Sequence, residues 1–170
     1  MQRNPYDNKN CLEIGESAER EFIKLAIDKG HFIRKSNGGE DASQHWDVLL
    51  KNDCRVDVKA MKRIKRSDEY VQDEWCWVEL HGVRKNDKGW LHGKAKVIAF
   101  ETDKDFILVK RTDLIKLVNK YVNSDILVNS AEEAKYKVYQ RRGRADKITL
   151  IETAKLKEIK HVIWSKNGRV

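Results

Sequence analysis

The stretch Trp46-Asp47-Val48-Leu49-Leu50-Lys51-Asn52-Asp53-Cys54-Arg55-Val56-Asp57-Val58-Lys59 decides how this chain is read. Side chains on a strand alternate with period two, so Cys54, Val56 and Val58 fall on one face and Arg55, Asp57 and Lys59 on the other. The polar triplet Lys51-Asn52-Asp53 is of the kind that closes a short β-hairpin. With those three residues as the loop, Leu50 meets Cys54 and Asp47 meets Asp57. Opposed strand residues have Cβ atoms about 5 Å apart, and two like charges there are destabilising unless something neutralises them. A divalent cation does this, and Mg²⁺ suits the spacing because it keeps several waters and takes only one or two carboxylates from protein. Lys59, one pleat from Asp57, is then placed to orient a water or to stabilise charge developing on a phosphorane. An Asp-x-Lys pair on a strand face also occurs as plain solvated surface. The opposed Asp47 is what raises this one above that reading.

A helix from about Gly15 to Lys29, stopped by Gly30, precedes the hairpin. At about 100° per residue, Ala18, Phe22, Ile23, Leu25, Ala26 and Ile27 form a broad apolar arc, and Glu19 projects near its middle. A glutamate within a buried stripe needs a partner. A nearby Arg or Lys, the positive end of the helix dipole, or a cation shared with the aspartates can each supply it.

Together, Ala18-Glu19-Arg20-Glu21-Phe22-Ile23-Lys24-Leu25, Gly30-His31-Phe32-Ile33-Arg34-Lys35-Ser36, Asp47 and Val56-Asp57-Val58-Lys59 resemble the PD-(D/E)XK nuclease superfamily. Over residues 15 to 62 the spacing is most similar to archaeal-type Holliday junction resolvases. The resemblance implies an α/β, restriction-endonuclease-like fold with a central mixed β-sheet flanked by helices. It implies a metal-dependent DNA endonuclease that hydrolyses phosphodiesters by in-line attack of water, with Mg²⁺ as cofactor and Mn²⁺ as a substitute. Asp47 and Asp57 become metal ligands, Lys59 the catalytic lysine, Glu19 the helix carboxylate that assists the metal, and Ser36 a loop residue near the scissile phosphate. Trp46 stands where the family has Pro, and Asp57 where Glu is more usual. After Lys59 the likeness to the resolvases fades and only the superfamily remains. The implied roles lie in DNA recombination and repair, and a resolvase works as a symmetric homodimer because it cuts two strands in step. A restriction or repair-type nuclease acting on duplex DNA is one rival reading. A non-catalytic DNA-binding or interaction protein on the same scaffold is another, although a binding module has no need of opposed acids.

Composition points the same way. Lys and Arg number 35 against 27 Asp and Glu, a formal net charge of +8, and such a chain attracts polyanions. Its 170 residues suit one domain, with a core over about 12–122 and a C-terminal hairpin and helix extension over about 130–165. Pro5 is the single proline, no apolar stretch is long enough to span a bilayer, and Met1-Gln2-Arg3-Asn4 lacks a signal-peptide core. Cys11, Cys54 and Cys76 are odd in number with no Cys-x-x-Cys spacing, which disfavours a disulfide framework or structural zinc and fits a reducing cytoplasm. His45, two residues before Asp47, reads as a surface or partly satisfied histidine.

Further along, Lys62, Arg63, Lys65 and Arg66 place four cations directly after the Asp57-x-Lys59 strand, either as phosphate contacts or as a solvated loop. Trp75-Cys76-Trp77-Val78-Glu79-Leu80 reads as the next sheet strand, with Trp75 and Trp77 packing rather than stacking on bases and Glu79 a possible accessory residue turned toward the site. Gly82 to Gly89 holds a charged turn. A hairpin is expected from Lys96–Phe100 and Phe106–Val109, then a helix capped by Thr112 and running to about Val122. A second hairpin is expected from Tyr136–Gln140 and Lys147–Ile151. Its tip carries Arg141, Arg142 and Arg144, a cationic knob able to reach a groove or phosphate, or simply a solvated turn. A closing helix is expected from Thr153 to Ile159.

Overall fold

The computed structural model describes residues 9–167; the polar opening Met1–Asn4 and Pro5 lie outside the described residues. The chain runs α1 (Lys9–Asp28), β1 (Phe32–Lys35), α2 (Gly38–Gln44), β2 (Val48–Leu50), β3 (Cys54–Lys59), β4 (Trp75–His81), β5 (Val97–Glu101) and β6 (Asp105–Lys110). It continues through α3 (Arg111–Tyr121), β7 (Asn123–Val128), β8 (Lys137–Gln140), β9 (Lys147–Glu152) and β10 (His161–Ser165), with 3₁₀ turns at Trp90–His92, Glu132–Ala134 and Thr153–Glu158. The protein is a mixed α/β structure with two mixed sheets, one ordered β1-β2-β3-β5-β6-β10 and the other β4-β9-β8-β7.

The apolar arc of α1 explains one face of the six-stranded sheet. Phe22, Leu25 and Ala26 pack on Val48, Leu50, Val56, Ala99, Phe106 and Leu108, and Phe22 meets Phe106 edge-on and stacks on Trp164. The helix stops where Gly30 takes φ +71°, a left-handed conformation that costs a glycine little. The opposite face of the sheet carries Ile98, Phe100, Ile107 and Val109 against Leu114, Leu117 and Val118 of α3 and against Val78 and Ile151 of the second sheet. Buried on both faces, β5 and β6 read as almost unbroken apolar runs.

Several expectations are corrected. One central sheet was expected, with the Trp75 strand following β3 within it. The neighbour of β3 is instead the parallel β5, pairing Asp57 with Ile98 and Lys59 with Phe100, while β4 pairs with β9 in the second sheet. The hairpin of β8 and β9 forms with Tyr139 opposite Ile148, but it belongs to that second sheet and is not an appended extension. The closing helix is only the 3₁₀ turn Thr153–Glu158. Thr153 is buried with its N–H donated to the Glu74 carbonyl at 2.9 Å, so it lies inside the turn instead of capping it. After that turn β10 returns to the edge of the first sheet, where Trp164 pairs with Phe106. Helix α3 begins at Arg111, one residue before the expected Thr112 cap, and Lys110 at the cap position makes no side-chain bond.

A small helix, α2, stands where only a loop was expected. Asn37 accepts from the Gly39 and Glu40 amides at 3.1 and 2.9 Å, and Glu40 accepts from the Asn37 amide at 3.0 Å, a reciprocal capping box. Arg34 of β1 holds Glu40 by two bonds of 2.8 Å and pulls its carboxyl down to about 2, anchoring α2 beside the β2–β3 hairpin. Among the described residues no helix is long and apolar enough to cross a membrane.

Candidate active site

The β2–β3 hairpin takes the register that the sequence implies. Leu50 pairs with Cys54 and Val48 with Val56, and the loop turns through Asn52 and Asp53 at φ +61° and +53°. Continuing one residue past this ladder, the Asp47 amide donates to the Val56 carbonyl at 2.8 Å, and Asp47 Oδ2 accepts from the Val58 amide at 2.6 Å. Asp47 and Asp57 are thereby brought together on the face away from α1. Asp57 is only 3 % exposed; its Oδ1 lies 2.7 Å from the Lys59 ammonium, and its Oδ2 is buried with no hydrogen-bond partner.

The electrostatics follow from that crowding. Burial, and next the negative charge of Asp57, push the Asp47 carboxyl up to about 8, against the pull of Lys59 and the Val58 amide. Burial likewise raises Asp57, with Lys59 opposing it. Two acids share one lysine, and one oxygen has no partner at all. Glu19 adds a third negative charge that Asp47 feels, although its own Oε1 is held 2.5 Å from Lys35 of β1. The helix carboxylate therefore has the basic partner that its place on the arc called for, and it still lies within electrostatic reach of the pair.

Lys59 is braced from the far side by Trp90, whose ring centroid lies 4.6 Å from its ammonium, a cation–π contact. Glu79 is tied to the site through the backbone of Trp90, accepting from its amide at 3.1 Å, and its charge is felt by Lys62. It positions Trp90, which in turn holds Lys59. Trp90 and Asp87 are contributors that the sequence does not announce, while His45, expected to be partly satisfied, pairs with Asp87 at 3.0 Å. His45 ends α2 in the left-handed region at φ +55° and not on a strand, and its charge acts to lower Asp57. The Gly89-Trp90 step, with Gly89 at φ +79°, was the only local signal for the bracing ring.

The basic residues separate into groups. Ser36 is half-buried and donates its amide to the Asp47 carbonyl at 2.7 Å, so it adjoins the acids. Lys62 is exposed as a residue, yet the protein around its ammonium and then the charge of Lys59 lower its pKa, which places it in the same neighbourhood. Arg63 is half-buried, its carbonyl accepting from Trp77 Nε1 at 3.0 Å and its Nε without a partner. Lys65 is paired with Glu132 at 2.6 Å, and Arg66 is exposed. Trp75 and Trp77 pack on Tyr136 and Tyr139. At the β8–β9 tip, Arg141 is engaged by the buried Asp146, Arg142 is exposed and Arg144 is half-buried. Because His81 pairs with Lys147, this tip projects beyond the end of β4 that carries Glu79, toward the Trp90 side of the molecule.

Among the described residues no group of three or more His, Cys, Asp and Glu side chains is gathered as a metal cage. The aspartate pair fits Mg²⁺ all the same, since that ion takes one or two carboxylates and the unpartnered Asp57 Oδ2 is a buried acceptor in search of positive charge. Comparison with protein-family models, with curated proteins and with solved structures finds no match for this chain.

Proposed function

We propose that this protein is a Mg²⁺-dependent DNA endonuclease on a restriction-endonuclease-like scaffold. The observation that carries the reading is the half-buried Asp47 beside the buried Asp57, with one unpartnered oxygen and a lysine 2.7 Å away. A merely structural strand pair is not expected to keep two acids together, because unpaired buried charge is costly. The order of elements supports the same reading: a glutamate-bearing helix, a strand, the small helix α2, then Asp47 just before β2 and Asp57-x-Lys59 on β3. The net charge of +8 suits a polyanionic substrate.

Asp47 and Asp57 would hold the Mg²⁺, with Glu19 contributing a further negative charge at the rim, and the ion would supply positive charge to both carboxylates and to a phosphoryl oxygen. Lys59 donates hydrogen bonds toward the phosphate, where negative charge grows as water adds in line and one P–O ester bond breaks. Trp90 keeps that ammonium from swinging away, and Glu79 keeps Trp90 in place. Ser36, Lys62 and the arginine tip lie where a backbone approaching the acids would pass. Structure-selective cutting of the Holliday-junction type, by a homodimer, is the branch to which the N-terminal half is most similar, with duplex cutting of the restriction or repair type as its rival.

The test is a substrate panel of supercoiled plasmid, linear duplex, flap and four-way junction in Mg²⁺, Mn²⁺ or EDTA. Cleavage is expected with either metal, none in EDTA, and none from Asp57→Ala or Lys59→Ala. Undiminished cutting by both variants would overturn the site assignment. Tight binding without cutting by the unaltered chain would favour the non-catalytic DNA-binding reading.

A further inference from the structure

Beyond the acid pair, at the opposite end of β3, lies a cleft of about 640 Å³ whose walls include Lys94, Lys96, Lys110 and Arg111 and no acidic residue. Lys94, Lys96 and Lys110 are exposed at its rim. Arg111 is fixed within it by bonds from Nε to the Ala95 carbonyl at 2.7 Å and from Nη1 to the Leu91 carbonyl at 3.1 Å. Carbonyls orient that guanidinium without cancelling its charge. Of these four cations only Lys96 has a carboxylate within ion-pair distance among the described residues, the exposed Asp53 at 3.4 Å, which is shared with Arg55 at 3.6 Å. The field is felt locally, because His92 on the cleft wall has its pKa lowered by burial and then by the charges of Arg111 and Lys88.

The cleft is joined firmly to the acid site. Lys94 donates its amide to the Gln44 carbonyl at 2.7 Å, three residues before Asp47, and Lys96 donates its amide to the Arg55 carbonyl at 2.9 Å, two residues before Asp57. Gly93 presses so closely on the end of α2 that a Cβ there would lie 2.8 Å from His45 Cβ. Three residues of β3 separate Cys54 at the cleft from Asp57, about 10 Å along the strand. That distance matches roughly three base steps of duplex at about 3.4 Å each.

We propose that this cleft binds the sugar–phosphate backbone of the same DNA whose scissile phosphate meets Asp57 and Lys59, a few base steps along the strand. The inference rests on the nuclease reading for its ligand and adds a second, non-catalytic anchoring point. No Trp, Tyr or Phe lines the cleft, so no ring is offered for a base to stack on. Backbone contact is therefore the mode, and it is independent of sequence.

The experiment is fluorescence anisotropy with a labelled duplex of about 30 base pairs in EDTA, where binding is read without cleavage. The double variant Lys94→Glu/Lys110→Glu is expected to bind about 10-fold more weakly and to lower the slope of log K against log salt by about 2. Lys137→Glu, a single charge reversal at an exposed position of β8, is expected to stay within about 2-fold of the parent. Thermal melts of all three should coincide within a few degrees, as exposed lysines dictate. Equal weakening by the double variant and Lys137→Glu overturns the cleft, as does a parent chain that binds no DNA. Inorganic tripolyphosphate bound as tightly as duplex also overturns it, since the cleft would then be a small-anion site. A parent that binds but never cuts removes the nuclease reading alone, and the cleft is still decided by the charge-reversal comparison.

Discussion

Two aspartates are almost wholly removed from solvent, Asp57 at 3 % and Asp146 at 1 % exposure, and they differ in what else shares their cationic partner. Asp146 lies under the β8–β9 tip against Arg141, a cation five residues away on the same turn that stays charged at any ordinary pH. Asp57 has Lys59 on one oxygen, but a second carboxyl, Asp47, draws on the same lysine and is pushed up to about 8. Each aspartate keeps one oxygen without a hydrogen-bond partner, so that feature alone does not distinguish them. The second carboxyl that shares Lys59 does. The hairpin solves its buried charge with a local partner, whereas the β2–β3 hairpin leaves its charge unsolved, which is the condition a cation-binding site requires.

The sharpest way to break this contrast is to remove each carboxylate in turn. Asp57→Ala is expected to lower Mg²⁺-dependent cleavage by at least about 10³-fold while leaving stability in urea unchanged or raised. Asp146→Ala is expected to do the reverse, costing about 2–4 kcal/mol in urea denaturation because Arg141 loses its partner, with cleavage by the folded fraction changed only a few-fold. Were Asp146→Ala to abolish cleavage and Asp57→Ala to unfold the chain, the two roles would be exchanged.

A second effect concerns pH. A carboxyl that titrates near 8 when folded and near 3.8 when unfolded is protonated in the folded state over that interval and not in the unfolded one. Its contribution therefore favours folding below about 4 and is lost as pH rises through about 8. Without divalent metal, Asp47→Asn should melt about 2–6 °C higher than the parent at pH 7.5 and show a flatter stability profile between pH 4 and 8. Added Mg²⁺ should raise the melting temperature of the parent and leave that of the variant unmoved. A parent that is indifferent to both pH and Mg²⁺ would remove the electrostatic half of the contrast.

Smaller effects are expected outward from the pair. Glu19→Gln keeps the shape of α1 and lowers cleavage by about 10–100-fold, as loss of a supporting charge does in metal sites. Glu79→Gln is expected to change cleavage by less than about 3-fold, because an amide oxygen still accepts the Trp90 N–H. Glu79→Ala frees Trp90 and should lower the cleavage rate more than it weakens DNA binding. Steady-state cleavage alongside anisotropy separates the two.

The parts of this structure legible in the sequence are those governed by short-range rules. Lys51-Asn52-Asp53 determines a register, Leu50 with Cys54 and Val48 with Val56, that brings Asp47 near Asp57, and Gly30 ends α1 through its own backbone freedom. Parts decided by distant partners were not legible. Nothing near Trp75 says that its strand pairs with residues 147–152 instead of joining β3, and nothing near Thr153 says that its amide is wanted by Glu74. Thr112 has the right chemistry for a cap, yet the helix begins one residue earlier because β6 leads directly into it. Arg141 illustrates the same limit in electrostatics. A run of arginines reads as a DNA contact until a buried aspartate five residues on claims one of them.

The return of β10 bears on the order of assembly. Phe22 of α1 stacks on Trp164, and β10 hydrogen-bonds to β6, so contacts more than a hundred residues apart complete the seat of the helix that carries Glu19. Closing loops of that length makes folding slow, since the entropy of closure is spent before the contacts reward it. A ribosome releasing this chain from its first residue onward would expose the β2–β3 aspartates early, but the seat of α1, and with it the placing of Glu19, is complete only after residue 164 has emerged.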